Sequence, residues 1–247
     1  MGPWQVISVG GRLIRRCVIF LMGLAAMVQL GPTVVMTGSM AISLVIYAAA
    51  FGVKYAAGFI LLLFFHELGH LVASRVVGIP TGVPIFLPFI GAVISLKRAP
   101  RNAKMAANVA IGGPALGTLT ALICLAIYFW NDSILMLVLA YTACLLNLFN
   151  LIPCDPLDGG RIASAISPHM WWVGSLVIGG LFFYTYNFIM LLIFFISLLR
   201  LWRSDNMNDA EDYYRLSVRQ RLTVLWWYLG LLAVLGLTTL YTANLLR

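Results

Sequence analysis

Charged side chains are scarce in this sequence. Asp and Glu together number eight, and charged residues of both signs make up 10% of the 247, well under the roughly 25% usual for a soluble domain. Extended polar stretches are few: apolar side chains account for 62%, and mean hydropathy is +0.97. The apolar runs are too many and too long for a soluble core, so a water-soluble fold is excluded and a polytopic membrane protein is expected. Paired cysteines are lacking as well. The four, at positions 17, 124, 144 and 154, follow no framework spacing, and three fall in or beside apolar runs where a thiol simply packs, so no disulfide scaffold is implied. No cleavage signal closes the apolar run after Arg12, Arg15 and Arg16, and the N-terminus is read as mature. The net charge of +8 comes from cations scattered between apolar runs, without the interleaved aromatics of a nucleic-acid surface, so no nucleic-acid partner is expected.

What is present is a series of spans. Apolar runs at 33–53, 57–77, 106–130, 133–152, 170–186, 187–202 and 222–244 each approach the about 20 residues that a bilayer requires. The expectation is an all-α transmembrane bundle of about seven spans. Alternate crossings put Arg75, Lys97, Arg98, Arg101, Lys104, Arg161, Arg200, Arg203, Arg215, Arg219 and Arg221 on one side, which the positive-inside rule makes cytoplasmic. The run at 17–30 ends at Gly31 and Pro32, too short to span. It reads as interfacial or re-entrant, with the N-terminus cytoplasmic. Between the second and third spans lies GIPTGVPIFLPFIGAVISL, 78–96, whose Pro80, Pro84 and Pro88 forbid a continuous helix. A re-entrant or β-like segment is expected there, and such backbone at membrane depth is tolerated only inside protein or along a wet cavity. The organisation is thus an N-terminal segment 1–32, a core 33–165, two further helices in 166–202, a charged connector 203–221 and a last helix in 222–247.

Three histidines occur in the chain, and two of them sit in the apolar run FILLLFFHELGHLVASRVVG, 59–78. In a helix His66 and His70 share a face one turn apart and can ligate one ion, while Glu67 reaches a water beside it. A surface helix would be the plain alternative in a soluble protein, but ionisable groups inside a membrane span are costly and mark function. A hydrolytic zinc site needs a third ligand and an open position. Of the eight acids, Asp205, Asp209, Glu211 and Asp212 fall in the connector and Asp132 in a turn. Asp155 and Asp158 remain, in LLNLFNLIPCDPLDGGR, 145–161, at the end of another span; spacing does not choose between them, although a turn-forming role suits Asp155. His169 and Cys154 are weaker ligand candidates.

HELGH at 66–70, together with NLIPCDPLDGG at 150–160, resembles the two signatures of the site-2 protease family of intramembrane zinc metalloproteases. The resemblance implies His66, His70 and Asp158 as ligands of one zinc ion, Glu67 as general base, and Asn150 as a contact to the substrate or its developing oxyanion. It implies peptide-bond hydrolysis within transmembrane segments of protein substrates, and an integral, multi-pass location in a bacterial plasma (inner) membrane. GGPALG at 112–117 is similar to the family's Gly-Pro element, with one departure: many members have asparagine where this chain has Gly117. Gly113 and Gly117 also form a small-residue face suited to close helix packing. The competing expectations are a catalytically silent relative and a divalent-metal transporter on the same His/Asp site. Glu67 separates them, since a transporter has no need of a base beside its ligand pair.

Overall fold

The computed structural model describes residues 31–88, 91–204 and 211–247. The expected N-terminal segment and its interfacial run at 17–30 lie outside the described residues. The chain forms a helical bundle with one small sheet. Its helices are α1 (Pro32–Phe51), α2 (Val53–Val76), α3 (Ala103–Asn131), α4 (Ile134–Asn150), α5 (Asp158–Ile166), α6 (Met170–Thr185), α7 (Phe188–Ser204), α8 (Glu211–Tyr214) and α9 (Val218–Leu245). Between α2 and α3 lie β1 (Ile85–Leu87) and β2 (Gly91–Val93). Four helices, α1, α2, α3 and α9, are long and apolar enough to cross a membrane, and α4, α6 and most of α7 are shorter apolar helices. Large apolar side chains such as Leu176, Trp226 and Leu237 stand exposed on the bundle. In water such a surface would aggregate, whereas lipid matches it. The protein is an integral, multi-pass membrane protein.

The helix ends follow local chemistry. Pro32 occupies the first turn of α1, where its missing N–H costs nothing. Gly52, at φ 84°, breaks α1 from α2 in a conformation that a side chain would resist. Asn102 caps α3 by accepting from the Met105 N–H at 2.9 Å, and Ser217 with Gln220 forms a capping box on α9.

The proline-rich segment is extended, as its composition requires. β1 and β2 pair antiparallel, with Phe86 opposite Ala92, and a bridge joins Thr81 to Leu96. The Phe86 side chain is buried in a cluster with Tyr47, Ala56, Ile60 and Leu63. The Phe86 N–H donates to Ser39 Oγ at 3.1 Å, so β1 is pinned to α1, while β2 lies beside α2 with no further strand paired to its other edge among the described residues.

Helices α2 and α3 meet at glycine. A Cβ on Gly69 would strike the Gly112 carbonyl, and one on Gly112 would strike Gly69 and Ala73, so the two backbones touch at this level. The main core joins α3, α4, α5 and α9 through Ala107, Cys144, Ile162, Tyr228 and Leu235 among others. The connector is less detached than its charge suggests: Tyr213, Tyr214 and Leu216 pack on this core. Arg221 donates to the carbonyls of Ile166 and Tyr214 at 2.5 and 2.9 Å. Both α5 and α8 are additions to the expected elements, too short for apolar periodicity to register.

Candidate metal centre

His66 and His70 lie in the second half of α2, on the face turned to α3. Gly113 of α3 opens the space they fill, because a Cβ there would overlap His70 Nε2 and Cε1 and approach His66 Nε2 to 2.8 Å. One residue on, Pro114 lies inside α3 and offers no N–H to the Ala110 carbonyl four residues earlier. At this opened turn the Val109 carbonyl accepts from His70 Nδ1–H at 2.9 Å. A carbonyl cannot donate, so His70 carries its proton on Nδ1 and presents a lone pair at Nε2.

Asp158 arrives from the far side on the first residue of α5. A contact on each side of it holds the chain in place. The Tyr228 hydroxyl of α9 donates to the Leu151 carbonyl at 2.7 Å, and Trp171 Nε1–H of α6 donates to the Gly160 carbonyl at 2.8 Å. Side chains at Gly159 or Gly160 would collide with the backbone of Leu151, Ile152 and Cys154, so the chain turns tightly enough to aim Asp158 inward. Its Oδ2 lies 3.2 Å from His66 Nε2 and 3.1 Å from His70 Nε2, and the two Nε2 atoms are 3.1 Å apart.

This trio fits zinc. Three ligands at about 2.0–2.1 Å from a tetrahedral ion are separated by about 3.3–3.4 Å, close to the edges of the triangle here. Two nitrogens and one carboxylate oxygen converge in a buried place, and these three are the one group of three or more His, Cys, Asp or Glu side chains so arranged among the described residues. Glu67 is 6% exposed, follows His66 in the helix, and accepts no hydrogen bond among the described residues, which leaves its carboxylate available as a base.

The remaining candidates lie elsewhere. Asp155 faces Arg200, 3.8 Å away. Cys154 is enclosed with Leu157, Ile178 and Ile193, where burial pushes its thiol up to about 12, and His169 lies at the start of α6 near Ser167. Asn150 donates to the Leu146 carbonyl of its own helix at 3.0 Å and makes no hydrogen bond to the trio. The asparagine at the centre is instead Asn147, one turn earlier, with Oδ1 2.9 Å from His66 Nδ1. No motif contains it, and the available signal was the cost of a carboxamide in an apolar span. A cavity of about 570 Å³ approaches the centre at Val109, with Asp155, Arg161, Arg200, Tyr213 and Tyr214 also on its wall.

Comparison with known proteins follows the same lines. No family model matches the chain. It is 36% identical over 106 residues, 41% of its length, to zinc metalloprotease MJ0392 of Methanocaldococcus jannaschii. It is 31% identical over 122 residues, 43% of its length, to the putative zinc metalloprotease Rip3 of Mycobacterium tuberculosis. The chain spans 30% and 28% of these relatives' lengths. The site-2 protease of Methanocaldococcus jannaschii superposes with a TM-score of 0.46 at 20% identity, covering 72% of this chain and 87% of that one. In its paired motifs and its relatives named zinc metalloprotease, the chain bears the likeness of the site-2 protease family.

Proposed function

We propose that this chain is an intramembrane zinc endopeptidase that hydrolyses peptide bonds in the transmembrane segments of other membrane proteins. The observation that carries this reading is the convergence of His66 Nε2, His70 Nε2 and Asp158 Oδ2 next to a buried carboxylate, Glu67, with no hydrogen-bond partner among the described residues. His66, His70 and Asp158 hold one zinc ion. When bound, zinc supplies a Lewis acid and lowers the pKa of water towards about 7. Glu67 takes the proton of the attacking water and delivers it to the leaving amine. Asn150 has committed one amide hydrogen to Leu146 and keeps a second for the substrate carbonyl.

A helical substrate shields its own carbonyls by hydrogen bonding, so it must unwind locally before attack. The edge of β2 that pairs with no strand among the described residues receives it. Because the Phe86 N–H turns to Ser39, the Phe86–Ala92 pair is the non-hydrogen-bonded kind, and Ala92 directs its N–H and C=O away from β1. An unwound segment pairing with this edge satisfies its backbone where water is scarce. Water enters through the Arg161-lined cavity, on the side that the arginine distribution makes cytoplasmic.

The test uses wild type, Glu67→Gln and Asp158→Asn purified in detergent, with bound metal measured and each incubated with single-span membrane peptides. Wild type is expected to hold one zinc and cleave, Glu67→Gln to hold zinc without cleaving, and Asp158→Asn to do neither. Cleavage by Glu67→Gln at the wild-type rate refutes the assignment of the base. Full zinc with no cleavage of any peptide by wild type leaves a catalytically silent relative, and zinc uptake into vesicles would mark a transporter.

A further inference from the structure

Asn147 is 1% exposed, yet its position on α4 sends a carboxamide into the cleft between α2 and α3. The orientation of that amide is fixed by chemistry. Nδ2 donates to the Ala143 carbonyl at 2.7 Å, which can only accept, so Oδ1 is the end facing His66 Nδ1 at 2.9 Å. An amide oxygen accepts and does not donate, so the proton of His66 must sit on Nδ1 and its lone pair on Nε2. His70 reaches the same state through the Val109 carbonyl. The two imidazoles are thus set to the same tautomer from opposite sides, one by backbone and one by a side chain from another helix.

The amide has room for one reason. A Cβ on Gly117 would overlap Asn147 Oδ1 and come within 2.6 Å of its Cγ. Gly117 and Asn147 therefore behave as a matched pair, in which α3 withholds a side chain and α4 fills the gap with the group that His66 needs. Gly117 stands where the family resemblance leads one to expect asparagine, and the amide is present here from the neighbouring helix.

We propose that Asn147 is a positioning residue that sets the metal affinity of the centre by locking His66 with its Nε2 lone pair turned to the ion, and that Gly117 exists to admit it. This rests on the zinc reading above. Outer partners of ligating histidines orient the ring and raise its basicity, and losing one typically costs ten- to a hundredfold in metal affinity.

The experiment measures zinc dissociation constants by chelator competition, on the full chain in detergent and in a Glu67→Gln background, so that no activity enters the readout. Asn147→Ala is expected to bind zinc about ten- to a hundredfold more weakly. Asn147→Asp, whose carboxylate still accepts from Nδ1–H, is expected to retain most of the affinity. Gly117→Ala is expected to lose about as much as Asn147→Ala, and the double variant Gly117→Ala with Asn147→Ala no more than either alone, because both changes remove one interaction. Equal affinity in Asn147→Ala and wild type, failure of Asn147→Asp to rescue, or additive losses in the double variant overturns the proposal.

Should Asn147→Ala fail to fold, nitrogen-15 spectra of zinc-loaded Glu67→Gln protein decide it, helped by the presence of three histidines in the chain. A His66 Nδ1 proton that exchanges slowly with water is expected, and a rapidly exchanging one refutes it. Absence of stoichiometric zinc in the parent protein overturns both readings. Zinc binding without cleavage by wild type removes the protease reading while the affinities still decide the role of Asn147.

Discussion

The sharpest consequence of the centre's packing is the effect of one methyl group at Gly113. A Cβ there would lie 2.8 Å from His66 Nε2 and nearer still to His70 Nε2 and Cε1, against ordinary contact beginning at 3.4 Å. The difference, 3.4 − 2.8, requires His66 to retreat by 0.6 Å or α3 to withdraw, and His70 must move further. Coordination tolerates only about 0.2 Å in ligand distance, so Gly113→Ala moves two of the three ligands out of bonding range together. Helix propensity runs the other way, since alanine is favoured over glycine by about 1 kcal/mol in a helix interior. Overpacking at a tight contact costs about 1–3 kcal/mol, so the net loss of folding stability is at most about 2 kcal/mol while metal binding weakens. The expected result is a protein that purifies as a folded monodisperse species with a zinc affinity at least tenfold weaker. The control is Gly236→Ala, where an added Cβ meets nothing within 4 Å and zinc binding is expected to be unchanged. The assay is chelator competition alongside thermal unfolding in detergent. Wild-type affinity in Gly113→Ala refutes the geometry on which the centre is built.

Other outcomes follow from single contacts. Tyr228→Phe removes the donor to the Leu151 carbonyl and is expected to lower stability by about 0.5–1.5 kcal/mol and to loosen zinc, read by unfolding and competition. An unchanged Tm and affinity would separate α9 from the Asp158 loop. Ala92→Pro deletes the outward N–H of β2 while leaving the hairpin's own bonds, so cleavage of membrane peptides is expected to fall with zinc content preserved; unchanged turnover removes the strand-edge role. Burial holds the Cys154 thiol at about 12, so it remains protonated until pH rises through that value. Alkylation at pH 8 is expected to spare it in folded protein and label it after denaturation, checked by mass spectrometry.

The histidine pair was legible in the sequence because a four-residue spacing in an apolar run has one geometric meaning in a helix. That 78–96 is extended was legible because Pro80, Pro84 and Pro88 forbid a continuous helix, while its pairing into a hairpin was not. Asp158 was harder. Spacing left it equal with Asp155, and the choice came from the resemblance; in the fold it follows from Tyr228 and Trp171 holding the loop and from the bare backbone at Gly159 and Gly160. These partners lie up to 77 residues apart in sequence, a distance that no local pattern encodes. Asn147 escaped for the same reason, since a lone carboxamide declares its purpose only once Gly117 and His66 are placed around it. The connector read only as a charge run because its tyrosines pack on the core through contacts that composition does not reveal.

The brace from α9 to the loop has a bearing on how such a protein is born. His66 precedes Asp158 by 92 residues, and Tyr228 follows Leu151 by another 77, so the ribosome delivers the parts of the candidate centre in instalments and the α9 brace after them. A growing polypeptide threaded into the bilayer thus carries both imidazoles long before anything can hold the carboxylate in reach of them. Under the proposed function, the loop that carries Asp158 lacks its α9 brace in the nascent chain until Tyr228 has followed it into the bilayer.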